Sequence, residues 1–301
     1  MVRFGSLSLR VLTYHRIANA NDFPWLDPRL ISATPETFER QMRYLAGHYD
    51  VVDAERVLNA ANGGQTLPRR PVLITFDDGY ADFARYAWPI LQRYNLPVTL
   101  FVPTAFAGNP HTLFWWDRLY HAVVPAGADS EELARLKRLQ RWLTTIPHSE
   151  AMQFVDALCR QHGAARPARP SALDWDQLRK LAREGVCIAS HTRTHPILTK
   201  IPLAEAKEEI QASIADVRHY LGEMLPVFCY PNGSVDDDVA HSLKAEGIQM
   251  AFTTQPGHND VPAPDPLRLH RINITPRTTL AVFRIRLMRA GNVIDRWRAA
   301  A

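Results

Sequence analysis

The sequence predicts an α/β fold built on a parallel sheet, open or closed into a (β/α) barrel, with a mainly helical insertion. Three observations point there. Apolar strand-like runs and amphipathic helix-like runs alternate along the chain, the pattern of parallel sheets. About seven or eight strands are spread over 301 residues, which suits a barrel. One stretch, residues 108–172, breaks the alternation with helices alone.

The elements follow in order. Residues 7–14 read as a first strand. Residues 35–48 read as a helix, with Thr34 as N-cap and Phe38, Met42 and Leu45 on one apolar face. The run Val72-Leu73-Ile74 opens a buried strand over 72–76. A helix over 80–94 should kink or stop near Pro89, which lacks an N–H and crowds the preceding turn. Further strands are expected over 98–102, 186–189, 227–230, 250–253 and 267–274. Helices are expected over 174–184, closed by Gly185, over 203–221, ended by Gly222, and over 237–246 and 278–289. Within the insertion, 130–143 and 149–162 read as helices and Arg166 to Pro170 as a linker. The insertion suits a lid, a substrate-side platform, or a layer that only packs.

Composition narrows the class. Hydrophobic content is 46% and charged content 22%, ordinary for a soluble globular protein. The net charge of +4 comes without a long Lys/Arg run, so nothing points to nucleic acid. The Arg-rich end (Arg284, Arg286, Arg289, Arg296, Arg298) suits an exposed helix face, or a peripheral contact with an anionic surface. Three isolated cysteines, Cys159, Cys187 and Cys229, read as buried free thiols of a reducing compartment. No secretory signal and no membrane-spanning run is legible, so a cytoplasmic location is expected.

Two motifs carry chemistry. Thr75-Phe76-Asp77-Asp78-Gly79 places two carboxylates side by side where a strand ends. Asp-Gly alone also reads as a turn. Burying two adjacent acids is costly without a partner or metal, which suggests one carboxylate for a cation and one for proton transfer. The second motif is His191-Thr192-Arg193-Thr194-His195-Pro196. Pro196 disfavours helix at His195, so both imidazoles should lie on a loop at a strand's C-terminal end. In a barrel that is the face carrying Asp77 and Asp78. Two imidazoles and one carboxylate make an open zinc-type ligand set with room for water.

Together these motifs resemble the first two motifs of the polysaccharide deacetylases, the NodB-homology domains of carbohydrate esterase family four. The resemblance covers about residues 7–274. It implies one domain over 1–301, a distorted (β/α)7-type barrel with the 108–172 insertion, and metal-dependent removal of N-acetyl groups from glycans. It also implies roles. Asp78, His191 and His195 would hold a divalent metal, zinc with cobalt or nickel as alternatives, and Asp77 would be the general base. Phe228-Cys229-Tyr230-Pro231-Asn232-Gly233 resembles the third motif, with the Tyr230 amide as oxyanion donor. The chain departs from the common order: the family's usual third-motif Arg and C-terminal Leu-x-His are not matched in place. Instead Thr13-Tyr14-His15 ends the first strand, as in the rearranged subgroup with the biofilm poly-N-acetylglucosamine deacetylases. His15, ahead of His270, is then the general acid, and Arg271 replaces the missing Arg by pairing with Asp77. The expected partner is an N-acetylated glycan, amino sugar or lipid-linked glycan, which Trp115 and Trp116 would stack on if the insertion is a platform. Hydrolysis of another amide and non-catalytic glycan binding are the rival readings.

Overall fold

The computed structural model describes residues 7–125, 128–162 and 169–288. The chain opens with β1 (Leu7–Tyr14), followed by a side ribbon of β2 (Arg16–Ile17) and β3 (Ile31–Ala33). Next come α1 (Pro35–His48), β4 (Asp50–Val51), α2 (Ala54–Ala61) and β5 (Pro71–Phe76). α1 begins as expected, with the Thr34 side chain accepting from the Thr37 N–H. α2 was not legible beforehand, although Asp53 caps it through the Arg56 N–H.

The helix expected over 80–94 is shorter and split. A π-helical turn, Phe83–Ala87, runs into α3 (Trp88–Arg93). Pro89 explains this, because it offers no N–H to the carbonyl one turn back and the ladder widens there. The chain continues through β6 (Thr99–Val102), α4 (Thr104–Gly108), α5 (Trp115–Val123), α6 (Ser130–Leu143), α7 (His148–His162) and α8 (Trp175–Arg183). It ends with β7 (Cys187–Ser190), α9 (Leu203–Leu221), β8 (Val227–Cys229), α10 (Asp237–Ala245), β9 (Met250–Pro256), β10 (Asn259–Val261), β11 (Leu269–Asn273) and α11 (Leu280–Leu287). Of the linker-like Arg166 to Pro170, residues 166–168 lie outside the described residues, as do Arg289, Arg296 and Arg298.

Seven parallel strands close the barrel in the order β1, β5, β6, β7, β8, β9, β11, with β11 returning to β1. The fold is therefore the (β/α)7-type barrel expected. β4 adds to β5 outside the ring, and β10 pairs antiparallel with the start of β1. Such two- and three-residue strands have no period to read. α11 returns the chain to β1, where Arg10 Nε donates to Leu287 O at 2.7 Å.

Strand alternation divides the core in two. Leu9, Val11, Leu73, Phe101, Ala189, Cys229, Phe252 and Leu269 share the cluster inside the barrel. Leu12, Tyr14, Val72, Ile74, Phe76 and Ile272 pack outward under α1, α3 and α8. Every residue of β5 is buried, as expected of a strand covered on both faces. The same parity, carried past the strand ends, selects which side chains reach the mouth of the barrel.

Candidate active site

Asp77 follows Leu73 and Thr75 on the inward parity of β5, and Arg271 follows Leu269 on that of β11. They meet inside the barrel in a bidentate pair, Arg271 Nη1 to Asp77 Oδ1 at 2.8 Å and Nη2 to Oδ2 at 2.7 Å. Both side chains are at most 3% exposed. Arg271 Nε donates to Thr253 O at 2.7 Å, which fixes the fork. Burial pushes the Asp77 carboxyl up, but the charge and hydrogen bonds of Arg271 outweigh it and hold Asp77 well below the usual carboxylate range. Cys229 lies behind the pair, its thiol 3.6 Å from Asp77 Oδ2. A lone cysteine in an apolar run gave no sequence signal of that contact.

Asp78 points elsewhere because its backbone is left-handed, with φ of 71°. Its Oδ1 lies 3.6 Å from His191 Nε2 and 3.3 Å from His195 Nε2. One donor atom from each of the three buried residues falls within 4.8 Å of the others. Burial pulls the His191 imidazole down, and neighbouring His195 adds to this, to about 4, so it is neutral at neutral pH. His191 Nδ1 lies 2.7 Å from the Cys229 carbonyl. A carbonyl only accepts, so Nδ1 carries the hydrogen and Nε2 presents its lone pair to Asp78. The inward lone pair of His191 Nε2, the neighbouring His195 imidazole and the buried Asp78 carboxylate are a donor set that fits a divalent cation of the zinc type.

The other expected residues divide. His15 continues the inward parity of β1 and lines the same cleft as Asp77, Asp78, His191 and His195. His270 has the outward parity of β11; its backbone is paired through the side chain of Asn259. Tyr230 requires a correction. Its N–H donates to Phe252 O at 3.1 Å, so that amide is committed to the ladder between β8 and β9. Its ring packs outward with Phe228 and Ile214 and its hydroxyl donates to Leu267 O. Two residues on, Asn232 stands in a left-handed turn (φ 57°) and lines the cleft, and no acceptor for its N–H is found among the described residues.

The cleft encloses about 400 Å³. Its lining includes apolar Trp115, Trp116, Leu30 and Ile197 and polar Asn232, Thr254 and Asn273. Trp116 meets the His195 ring edge-on at 4.9 Å and stacks on Phe114 at 4.6 Å. Its indole N–H donates to Tyr80 Oη, and Tyr80 donates to the buried Asp117 carboxyl. Burial pushes that carboxyl up to about 7 against the pull of Arg16. α5 thus reaches the site through locked aromatic side chains. Among the described residues no helix is long and apolar enough to cross a membrane. The three cysteines are free thiols, with Cys159 and Cys229 buried and Cys187 half-buried.

A family model described as polysaccharide deacetylase matches residues 64–251. The chain is similar to a poly-beta-1,6-N-acetyl-D-glucosamine N-deacetylase of Escherichia coli K12, at 25% identity over 260 residues. That match covers 77% of this chain and 32% of the relative, so the chain spans about a third of that protein's length. A protein of the same name from Staphylococcus epidermidis RP62A is 23% identical over 267 residues, covering 84% of this chain and 75% of the relative. Among solved structures, the deacetylase PplD of Streptococcus pyogenes, in complex with acetate, shares the fold with a TM-score of 0.65 and 20% identity. The likeness covers 94% of this chain and 99% of that one.

Proposed function

The chain belongs to the polysaccharide deacetylase family, and from that premise we propose that it hydrolyses the N-acetyl group of an amino-sugar-containing glycan or glycan precursor. The observation that carries this reading is the ionised Asp77–Arg271 pair beside the Asp78, His191 and His195 cluster at the base of one cleft. Asp78, His191 and His195 would hold a divalent metal, zinc or alternatively cobalt or nickel. When bound, the metal supplies Lewis acidity to the acetamide oxygen and lowers the pKa of water.

The remaining steps belong to side chains. Asp77, kept as a carboxylate by Arg271, takes the proton of the attacking water. His15, on the neighbouring strand end, gives a proton to the departing amine. The Asn232 N–H takes the donor role expected of Tyr230 and meets the developing oxyanion. The indoles of Trp115 and Trp116 take the apolar face of a sugar ring, and the amides of Asn232 and Asn273 take its hydroxyls.

The test is acetate release from N-acetylglucosamine and its oligomers, lipid-linked amino sugars and a panel of other acyl amides, with metal content measured in parallel. Asp77→Asn should lose roughly 10²- to 10⁴-fold in kcat and keep its metal. Asp78→Ala should lose metal and activity together. His15→Ala should lower turnover with metal retained. Full activity in Asp78→Ala, or release from the other amides alone, would overturn the proposal.

A further inference from the structure

The loop that carries both histidines is strained and needs a prop. Thr192 and His195 adopt left-handed backbone, with φ of 66° and 64°. Such backbone is disfavoured in a non-glycine residue and persists only where its surroundings enforce it. The loop's outward carbonyls are held by α4: Thr104 N–H donates to Thr192 O at 3.1 Å and Ala105 N–H to Arg193 O at 2.9 Å. Its outward amides are held by a single carboxylate. Glu209 Oε2 accepts from both the Arg193 and Thr194 N–H groups at 2.8 Å, and Glu209 Oε1 accepts from Thr194 Oγ1 at 2.6 Å.

Consecutive amides after a left-handed residue form a concavity suited to an anion. Here the anion is built into the fold. Glu209 projects from α9, whose Ala206, Ile210, Ser213 and Ile214 are buried against the barrel. The same helix grips the end of β7 through a 2.6 Å contact between the Ser213 and Ser190 hydroxyls. It grips the start of α4 through Thr104 Oγ1 to Asp216 Oδ2 at 2.6 Å. The two exposed loop residues therefore tie the two buried imidazoles to a rigid helix.

We propose that Glu209 is a positioning residue that holds His191 and His195 in the geometry required to bind the metal. This rests on the reading of Asp78, His191 and His195 as a metal centre. It assigns Glu209 no contact with substrate or cation. Outer groups that orient metal ligands are typically worth 10- to 100-fold in metal affinity.

The test uses the full chain, stripped of metal and titrated with Zn²⁺ by calorimetry and with Co²⁺ by visible absorption, whose band reports coordination number. Metal-free thermal melts run alongside. Glu209→Ala is expected to bind 10- to 100-fold more weakly, with a weakened or shifted cobalt band. Glu209→Gln, which keeps an acceptor for the two amides, should fall between it and wild type. The exposed neighbour change Glu208→Gln should stay within twofold of wild type. Affinity of Glu209→Ala within twofold of wild type overturns the proposal while leaving the metal centre intact. Wild type that binds neither ion overturns the metal centre, and this inference with it. Should Glu209→Ala not fold, Thr194→Val removes only the hydroxyl bond; a severalfold loss of affinity supports the role, and unchanged affinity overturns it.

Discussion

Arg271 shows how much one side chain decides. It neutralises a buried carboxylate, and removing it would leave Asp77 without its charged partner inside the barrel. Arg271→Met should therefore cost roughly 3–5 kcal/mol in denaturant unfolding. The pH sign follows from the direction of the shift. Asp77 is held below its unfolded value of 3.8, so the stability it contributes is present above about pH 4 and lost as pH falls through its folded value. Without Arg271 the largest lowering influence is gone and burial raises the carboxyl, opposed only by the weaker pull of His191 and His15. The base must be ionised to work, so the acidic limb of the kcat/KM profile should move to higher pH in the variant; an unmoved limb would contradict the role of the pair. At this scale the motifs made much legible: Asp77, Asp78, His191 and His195 converge as their spacing suggested. Tyr230 differs from expectation because its amide is still held in the ladder by Phe252 O; Pro231 has no N–H, so the first free amide of the turn is that of Asn232. Cys229 beside Asp77 and Glu209 on α9 were not legible, since each acts across more than a dozen residues of sequence.

Whole elements were read best where a period runs long enough. α1 and α9 match the expected helices at both ends, while α2 and the short strands outside the barrel escaped notice. The turn after β8 sets the conformation of Asn232, the proposed oxyanion donor. Gly233 has φ of 69°, and a Cβ there would lie 2.2 Å from the backbone N of Thr254 on β9. The obstacle is backbone, so no side-chain shift relieves it. Gly233→Ala should cost on the order of 2–3 kcal/mol in chemical denaturation. It should also raise KM, because Asn232 and Thr254 both line the cleft and Thr254 Oγ1 donates to Asn232 O. A variant as stable as wild type would show that the turn yields more readily than its contacts indicate.

At the scale of the molecule, the residues proposed as metal ligands come from the turn after β5 and from the loop after β7, so a bound cation would tie two staves of the barrel together. Ligands that bind only the folded state stabilise it by mass action, about 2.7 kcal/mol at one hundred times Kd. Thermal melts with and without Zn²⁺ should differ by several degrees, and Asp78→Ala should abolish the difference. The closed barrel was legible because α/β alternation persists along the chain and its motifs resemble a barrel family, whereas the strand pair at which it closes was not, because no local pattern records that β1 sits between β11 and β5. That closure makes the ring indifferent to where the gene begins. α11 already delivers the chain to Arg10 at the foot of β1, so a circular permutant encoding β1 after α11 would rebuild the same ring. His15 would then reach the cleft from the last strand of the polypeptide instead of the first. The order of these motifs along the chain is thus a matter of where a closed circle is cut.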